Sequence, residues 1–176
     1  MSLDDLRYPV GRFERPAHMN EAARAAAIAV IADVPRAMRD AVKGLSVVQL
    51  DTPYRDGGWS VRQVVHHVPE SHMHAYCRFK FALTEDHPTI KPYNEGTWST
   101  YGDQAPASVE ASLMLIDGLH QRWTTVLTVM TPAEFARTLH HPENGDMRLD
   151  QVLASYAWHS RHHVAHIMSL RQRKGW

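Results

Sequence analysis

Apolar positions recur at steps of three and four residues in four long stretches of the chain, the spacing that lines one face of a helix. Between about 18 and 45, Ala22, Ala26, Ile28, Ile31, Val34, Met38 and Val42 keep that spacing around Pro35, predicting one helix kinked at the proline. The second stretch opens after Gly57-Gly58 with Ser60-Val61-Arg62-Gln63, a capping box in which the hydroxyl takes one orphan amide and the glutamine another. Val61, Val65, Val68, His72, Tyr76, Phe79 and Leu83 then share a face as far as about Asp86, with a local kink expected at Pro69. A third helix is predicted from about 107 to 130 through Val109, Leu113, Ile116, Leu119, His120, Trp123 and Leu127, and Thr131-Pro132-Ala133-Glu134 caps a short one. The last runs from about Leu149 to Arg173 and ends in basic residues that suit a helix C-terminus. Between the second and third helices, residues 87–106 form a loop holding Tyr93, Trp98 and Tyr101, long enough to serve as a lid. No run of alternating β-branched residues predicts a strand. The expected fold class is therefore all-α, a four-helix bundle made by one domain spanning residues 1–176.

Composition narrows the function classes. Lys plus Arg equals Asp plus Glu at 19 each, so no basic footprint for nucleic acid or an anionic membrane surface is expected. The single cysteine, Cys77, excludes an internal disulfide and multi-cysteine metal sites, and it reads as a small core residue in a protein of the reducing cytoplasm. No apolar run approaches the ~20 residues of a membrane span, and the first residues lack the order of a signal peptide.

Histidine is the outlier, with 13 residues gathered largely in three short stretches. In the last helix His159, His162, His163 and His166 include pairs four residues apart, which brings imidazoles to neighbouring positions on one face. Leu149, Val152, Leu153, Tyr156, Ile167 and Leu170 define the apolar face of that helix. His163 falls within it, His159 at its edge, His166 a little further out, and His162 furthest away. Several imidazoles directed into one core each need a partner, and a divalent ion satisfies two or three together. A third ligand would come from the second helix, from His66 or His67, whereas the apolar stripe there favours His72.

The segments Tyr54-Arg-Asp-Gly-Gly-Trp-Ser-Val-Arg-Gln-Val-Val-His-His67, Ser71-His-Met-His-Ala-Tyr76 and Pro88-Thr-Ile-Lys-Pro-Tyr93, with Leu119-His-Gln-Arg-Trp123, His141-Pro142 and Tyr156-Ala-Trp-His-Ser-Arg-His-His-Val-Ala-His-Ile167, resemble the YfiT branch of the DinB-like superfamily. The resemblance covers nearly the whole chain. It implies a four-helix bundle of metal-dependent hydrolases in which three histidines hold one divalent ion, zinc or nickel, with positions left open to water or substrate. By position, those ligands match His67, His159 and His163. Some relatives are similar to bacillithiol-dependent S-transferases and others use mycothiol or glutathione, which implies a low-molecular-weight thiol as a co-substrate. Pro69-Glu70 departs from the family's common Ala-Asp.

Three imidazoles with an open position suit a reactive ion, through either a coordinated water or a coordinated thiol. The expected function is thus a metal-dependent hydrolase or thiol S-transferase acting on a small molecule. The alternative is a non-catalytic, metal-binding stress-response bundle, favoured if His141 or His166 supplies a fourth ligand. His141 and Glu70 are the candidates for acid–base work beside the metal, and Arg78, Lys80 and Arg161 for holding an anionic thiol. A homodimer is the expected assembly.

Overall fold

Capping residues and helical periodicity place the long helices close to where the pattern predicts them. The computed structural model describes residues 2–105 and 107–176. In chain order the elements are α1 (Leu3–Arg7), α2 (Glu21–Val42), α3 (Val47–Leu50), α4 (Val61–Thr84), α5 (Glu95–Trp98), α6 (Val109–Val129), α7 (Pro132–Phe135), β1 (Thr138–His141), β2 (Gly145–Arg148) and α8 (Leu149–Lys174). The Ser60–Gln63 box forms as predicted, as does the Thr131–Glu134 cap of α7. Gly175, in the left-handed conformation at φ 70°, ends α8.

The four long helices make the bundle, with an unusual order. α2 packs beside α6 and α8, and α4 beside the same two, so α2 and α4 face each other across one diagonal and α6 and α8 across the other. Only α4 and α6 are both consecutive among the long helices and adjacent in space. No helix among the described residues is long and apolar enough to cross a membrane.

The core divides into two apolar clusters, one around Phe79, Trp123, Leu139 and Leu153 and the other around Val34, Val64, Ile116 and Ile167. Each fully buried side chain of this size stabilises the fold by roughly 1.5–3 kcal/mol. Along α8 the first cluster ends at Ala157 and the second resumes at Ile167; the interval contains all four of that helix's histidines. On α6, His120 likewise separates Ile116 from Trp123. The bundle therefore carries a layer of imidazoles between two layers of hydrocarbon.

The structure adds to the predicted architecture in four places. A two-stranded antiparallel hairpin, β1–β2, lies between α7 and α8, with His140 opposite Asp146 and Gly145 at φ 70° in its turn. Its signal was Asn144-Gly145, the strongest short-range hairpin dipeptide, but strands of four residues carry too little alternation to be recognised. The loop 87–106 holds the single turn α5 and runs beside β1, with Ile90 N–H donating to His140 O at 3.0 Å and His140 N–H to Pro88 O at 2.9 Å. Pro35 and Pro69 both lie inside continuous helices. The N-terminal segment, for which the periodicity predicts nothing before about 18, straps across α8: Trp158 Nε1–H donates to Gly11 O at 3.0 Å, and Gln151 Nε2–H to Pro16 O at 2.9 Å.

Candidate metal centre

The helices α4 and α8 are neighbours, and at mid-height they turn His67, His159 and His163 toward one point. One ligand atom from each lies within 4.8 Å of the others. The ring centroids are 5.2 Å apart for His67 and His159, 4.9 Å for His67 and His163, and 4.4 Å for His159 and His163. The Nε2 atoms of His67 and His159 are 3.1 Å apart. Two nitrogens bound tetrahedrally at ~2.0–2.1 Å from a zinc ion stand ~3.3 Å apart, so the spacing fits a shared ion with little adjustment.

Protonation fits as well. Burial pushes His67 down to about 4, and burial together with the neighbouring imidazoles holds His159 and His163 well below the usual histidine value. These shifts favour the neutral imidazole in all three, the form that can coordinate. Three neutral nitrogens without thiolate or carboxylate suit a borderline ion such as zinc or nickel. Trp59 shields the group, its ring 4.7 Å from His67 and parallel to that of His163 at 6.2 Å.

The remaining histidines are occupied otherwise. His166 spends its Nε2–H on the Arg7 carbonyl at 3.2 Å and stacks on Tyr54 at 3.9 Å, so it does not join the three rings. His66 pairs through Nδ1 with Ser112 Oγ at 2.7 Å. His72, favoured by the apolar stripe, is fully buried but touches the site indirectly, its Nε2 lying 3.1 Å from Nδ1 of His159. The position of His162 corrects the helical wheel. Placed furthest from the core by periodicity, it is buried, stacked on Trp158 at 4.4 Å and covered by Tyr8 of the N-terminal strap. A wheel calculated for one helix takes no account of a segment that crosses its outer face.

A cavity of about 400 Å³ opens onto the three rings and is lined also by Trp59, Ser71, Arg78, Tyr93, His141 and Tyr156. His141, at the end of β1, is buried, and its Nδ1 accepts the Glu143 backbone N–H at 3.2 Å. With that lone pair engaged, the neutral ring carries its proton on Nε2 and acts as a donor rather than a base. Glu70 does not line this cavity. It borders a neighbouring one with Trp98, Tyr101 and Asp103, where Gln104 Nε2 donates to it at 3.3 Å and burial raises its pKa. Of the loop aromatics, Tyr93 reaches the cavity beside the three rings; Trp98 packs behind it, with His74 stacked against Tyr93 at 4.2 Å.

Arg78 lines the cavity, its Nη1–H donating to Tyr156 Oη at 3.2 Å while its buried Nε has no partner. No carboxylate pairs with it among the described residues. Of the other predicted cations, Lys80 and Arg161 are exposed, and neither lines the cavity. Cys77 is exposed rather than packed in the core, because its position on α4 faces solvent between the buried Ala75 and Phe79.

Comparison with known proteins gives consistent results. The DinB superfamily model matches residues 31–167. A protein of Bacillus mycoides named "Putative metal-dependent hydrolase" is 48% identical over 174 residues, covering 99% of this chain and 100% of its own. A Bacillus cereus protein of the same name is equally identical over the same shares. Among solved structures, YfiT from Bacillus subtilis, described as "a probable metal-dependent hydrolase with an unusual four-helix bundle topology", superposes with a TM-score of 0.94 at 44% identity, over 98% of this chain and 99% of that one. The four-helix bundle protein TT2238 shares the fold at a TM-score of 0.60 and 18% identity, over 83% of this chain and 98% of its own.

Proposed function

Since the chain belongs to the DinB superfamily, we propose that His67, His159 and His163 hold one divalent ion, zinc or nickel, at the floor of a cavity where a small anionic molecule reacts. The observation that carries this reading is the open arrangement of the site. Three neutral imidazoles face a 400 Å³ cavity, and no fourth histidine, cysteine or carboxylate joins them among the described residues. A site closed by four protein ligands would favour the non-catalytic alternative.

When bound, such an ion brings the pKa of a coordinated water or thiol toward neutrality and polarises a carbonyl. The chain's own residues supply the rest. Trp59 and Tyr93 wall the cavity and limit water, while His141 offers its Nε2–H to an oxygen that gains charge in the reaction. The Arg78 guanidinium, steadied by Tyr156 and without a carboxylate partner, receives the anionic group. Hydrolysis is the activity named for the relatives. Transfer of a low-molecular-weight thiol is favoured as a second reading because the two carboxylates that line the cavity, Glu95 and Glu143, are both exposed and neither gathers with the three rings, whereas a coordinated thiol needs no base.

Elemental analysis of untagged protein, purified without a chelating column, tests the reading. About one zinc or nickel per chain is expected by simple site stoichiometry, lost in His67→Ala and in His163→Ala and kept in His162→Ala. Equal retention in all variants, or no metal in the parent even after reconstitution, would overturn it. Ester, amide and thiol-plus-electrophile screens with the loaded protein then separate the two chemistries, and Arg78→Met is expected to raise KM for an anionic substrate by roughly 10- to 100-fold, the scale of one lost charge-assisted pair.

A further inference from the structure

One of the three imidazoles is tied to a chain of hydrogen bonds that runs to the far side of the bundle. His159 Nδ1 lies 3.1 Å from His72 Nε2, His72 Nδ1 lies 2.8 Å from His120 Nε2, and His120 Nδ1 lies 2.6 Å from the carbonyl oxygen of Ile31. The last atom fixes the direction of the whole chain, because a carbonyl only accepts. His120 must therefore donate from Nδ1, which in a neutral ring leaves Nε2 as an acceptor. His72 must donate to it from Nδ1, leaving its own Nε2 to accept from Nδ1–H of His159. The Nε2 of His159, 3.1 Å from Nε2 of His67, is then left as an acceptor.

The free carbonyl at the end has a sequence origin. In α2 the oxygen of Ile31 would accept from the amide of residue 35, and that residue is Pro35, which has no N–H. The proline that interrupts the helical pattern thereby releases the acceptor on which the chain is anchored. His72 and His120 are fully buried, and no carboxylate pairs with either among the described residues, a setting in which a charged ring is costly.

We propose that His72 and His120 are positioning residues: anchored on the Ile31 carbonyl, they lock His159 in its Nδ1–H tautomer and hold its Nε2 lone pair ready for a metal ion. The tautomer assignment stands on the hydrogen bonds alone, and its use for coordination rests on the ligand set proposed above. An imidazole free to place its proton on either nitrogen spends part of its population unable to coordinate through Nε2; the chain removes that loss and fixes the ring's orientation.

Long-range ¹H–¹⁵N correlation spectra of the metal-free protein at pH 7.5 read the tautomers directly. His120, His72 and His159 are each expected as Nδ1–H, and an Nε2–H signal at His72 or His159 would overturn the proposal. Zinc affinity by chelator competition reads the consequence. His72→Leu should weaken binding by roughly 10- to 100-fold, the usual effect of removing the partner of a ligating histidine. His72→Gln, whose amide can donate to His120 and accept from His159, should recover most of it. A packing role would favour leucine over glutamine, so equal or reversed affinities would overturn the positioning role. His120→Leu serves as the second variant if His72→Leu does not fold, with the same weakening expected. His159→Ala in the same assay separates the failures: parental affinity there would overturn the ligand set itself, whereas loss there with no effect of His72→Leu would overturn only the relay.

Discussion

His159→Ala lowers the affinity for zinc at pH 7.5 by about 10²- to 10³-fold. A protein zinc site supplies ~10–16 kcal/mol in total, so each of three or four ligands accounts for ~3–4 kcal/mol, and each ~1.4 kcal/mol is tenfold. The substitution acts twice. It removes one of the three nitrogens that stand within 4.8 Å of one another, and it leaves the fully buried Nε2 of His72 without the N–H that faces it. His162→Ala is the matched control: its ring borders the cavity and stands 5.2 Å from that of His163, but it is stacked on Trp158 and is not one of the three that gather. Its affinity is expected to stay within about threefold of the parent, less than one hydrogen bond's worth. Isothermal titration or competition with a chromogenic chelator measures both, and similar affinities for the two variants would rule out His159 as a ligand.

The second large effect is acid unfolding of the metal-free protein between about pH 6 and 4.5. Burial holds His67 at about 4, His120 at about 4 and His166 at about 3, against 6.5 for an unhindered imidazole. Folded, these rings stay neutral as the pH falls; unfolded, they take up protons from about 6.5 downward. The unfolded chain thus binds more protons across this window. The stability these rings contribute is fully present above pH 6.5 and is lost as the pH drops toward their folded values. Each contributes up to ~1.4 kcal/mol per pH unit, so the three together remove ~4 kcal/mol per unit and ~6 kcal/mol across the window, which reaches the lower part of the typical range of ~5–15 kcal/mol. Far-UV circular dichroism of chelator-treated protein should show one cooperative transition in that window, moved to lower pH by added zinc. A flat trace down to pH 4 would contradict the burial of these imidazoles as neutral groups.

Much of the bundle was legible because local chemistry and packing agree. Ser60 and Gln63 mark the start of α4 by their hydrogen-bonding capacity alone, and the stripe from Leu149 to Leu170 selects His163 and His159 as inward positions on α8. The choice of His67 over its neighbour His66 and over His72 came only from the family resemblance. Periodicity fails there because Val64 to Val68 are buried without interruption, between α6 on one side, α8 on the other and α2 across the diagonal. A helix covered on several sides has no single stripe to read. The same reasoning explains His120, which sits on the apolar face of α6 as a core residue would and shows its role only when Ile31 and His72 are placed around it. The strap that buries His162 left no periodic signal, since it is held by single hydrogen bonds to α8 rather than by a long helix of its own.

The diagonal arrangement of the helices bears on how the chain can be divided. In an up-and-down bundle, each pair of consecutive helices is already a packed hairpin, and half the chain can carry half the core. Here a cut in the 85–108 connection would separate α2 from both of its long-helix neighbours and part the one consecutive pair that is packed together, α4 and α6. It would also leave His67 in one fragment and His159 and His163 in the other, 92 positions apart in sequence for the pair whose Nε2 atoms meet. The cavity is a property of the intact fold, since its walls and its three rings come from both sides of that cut.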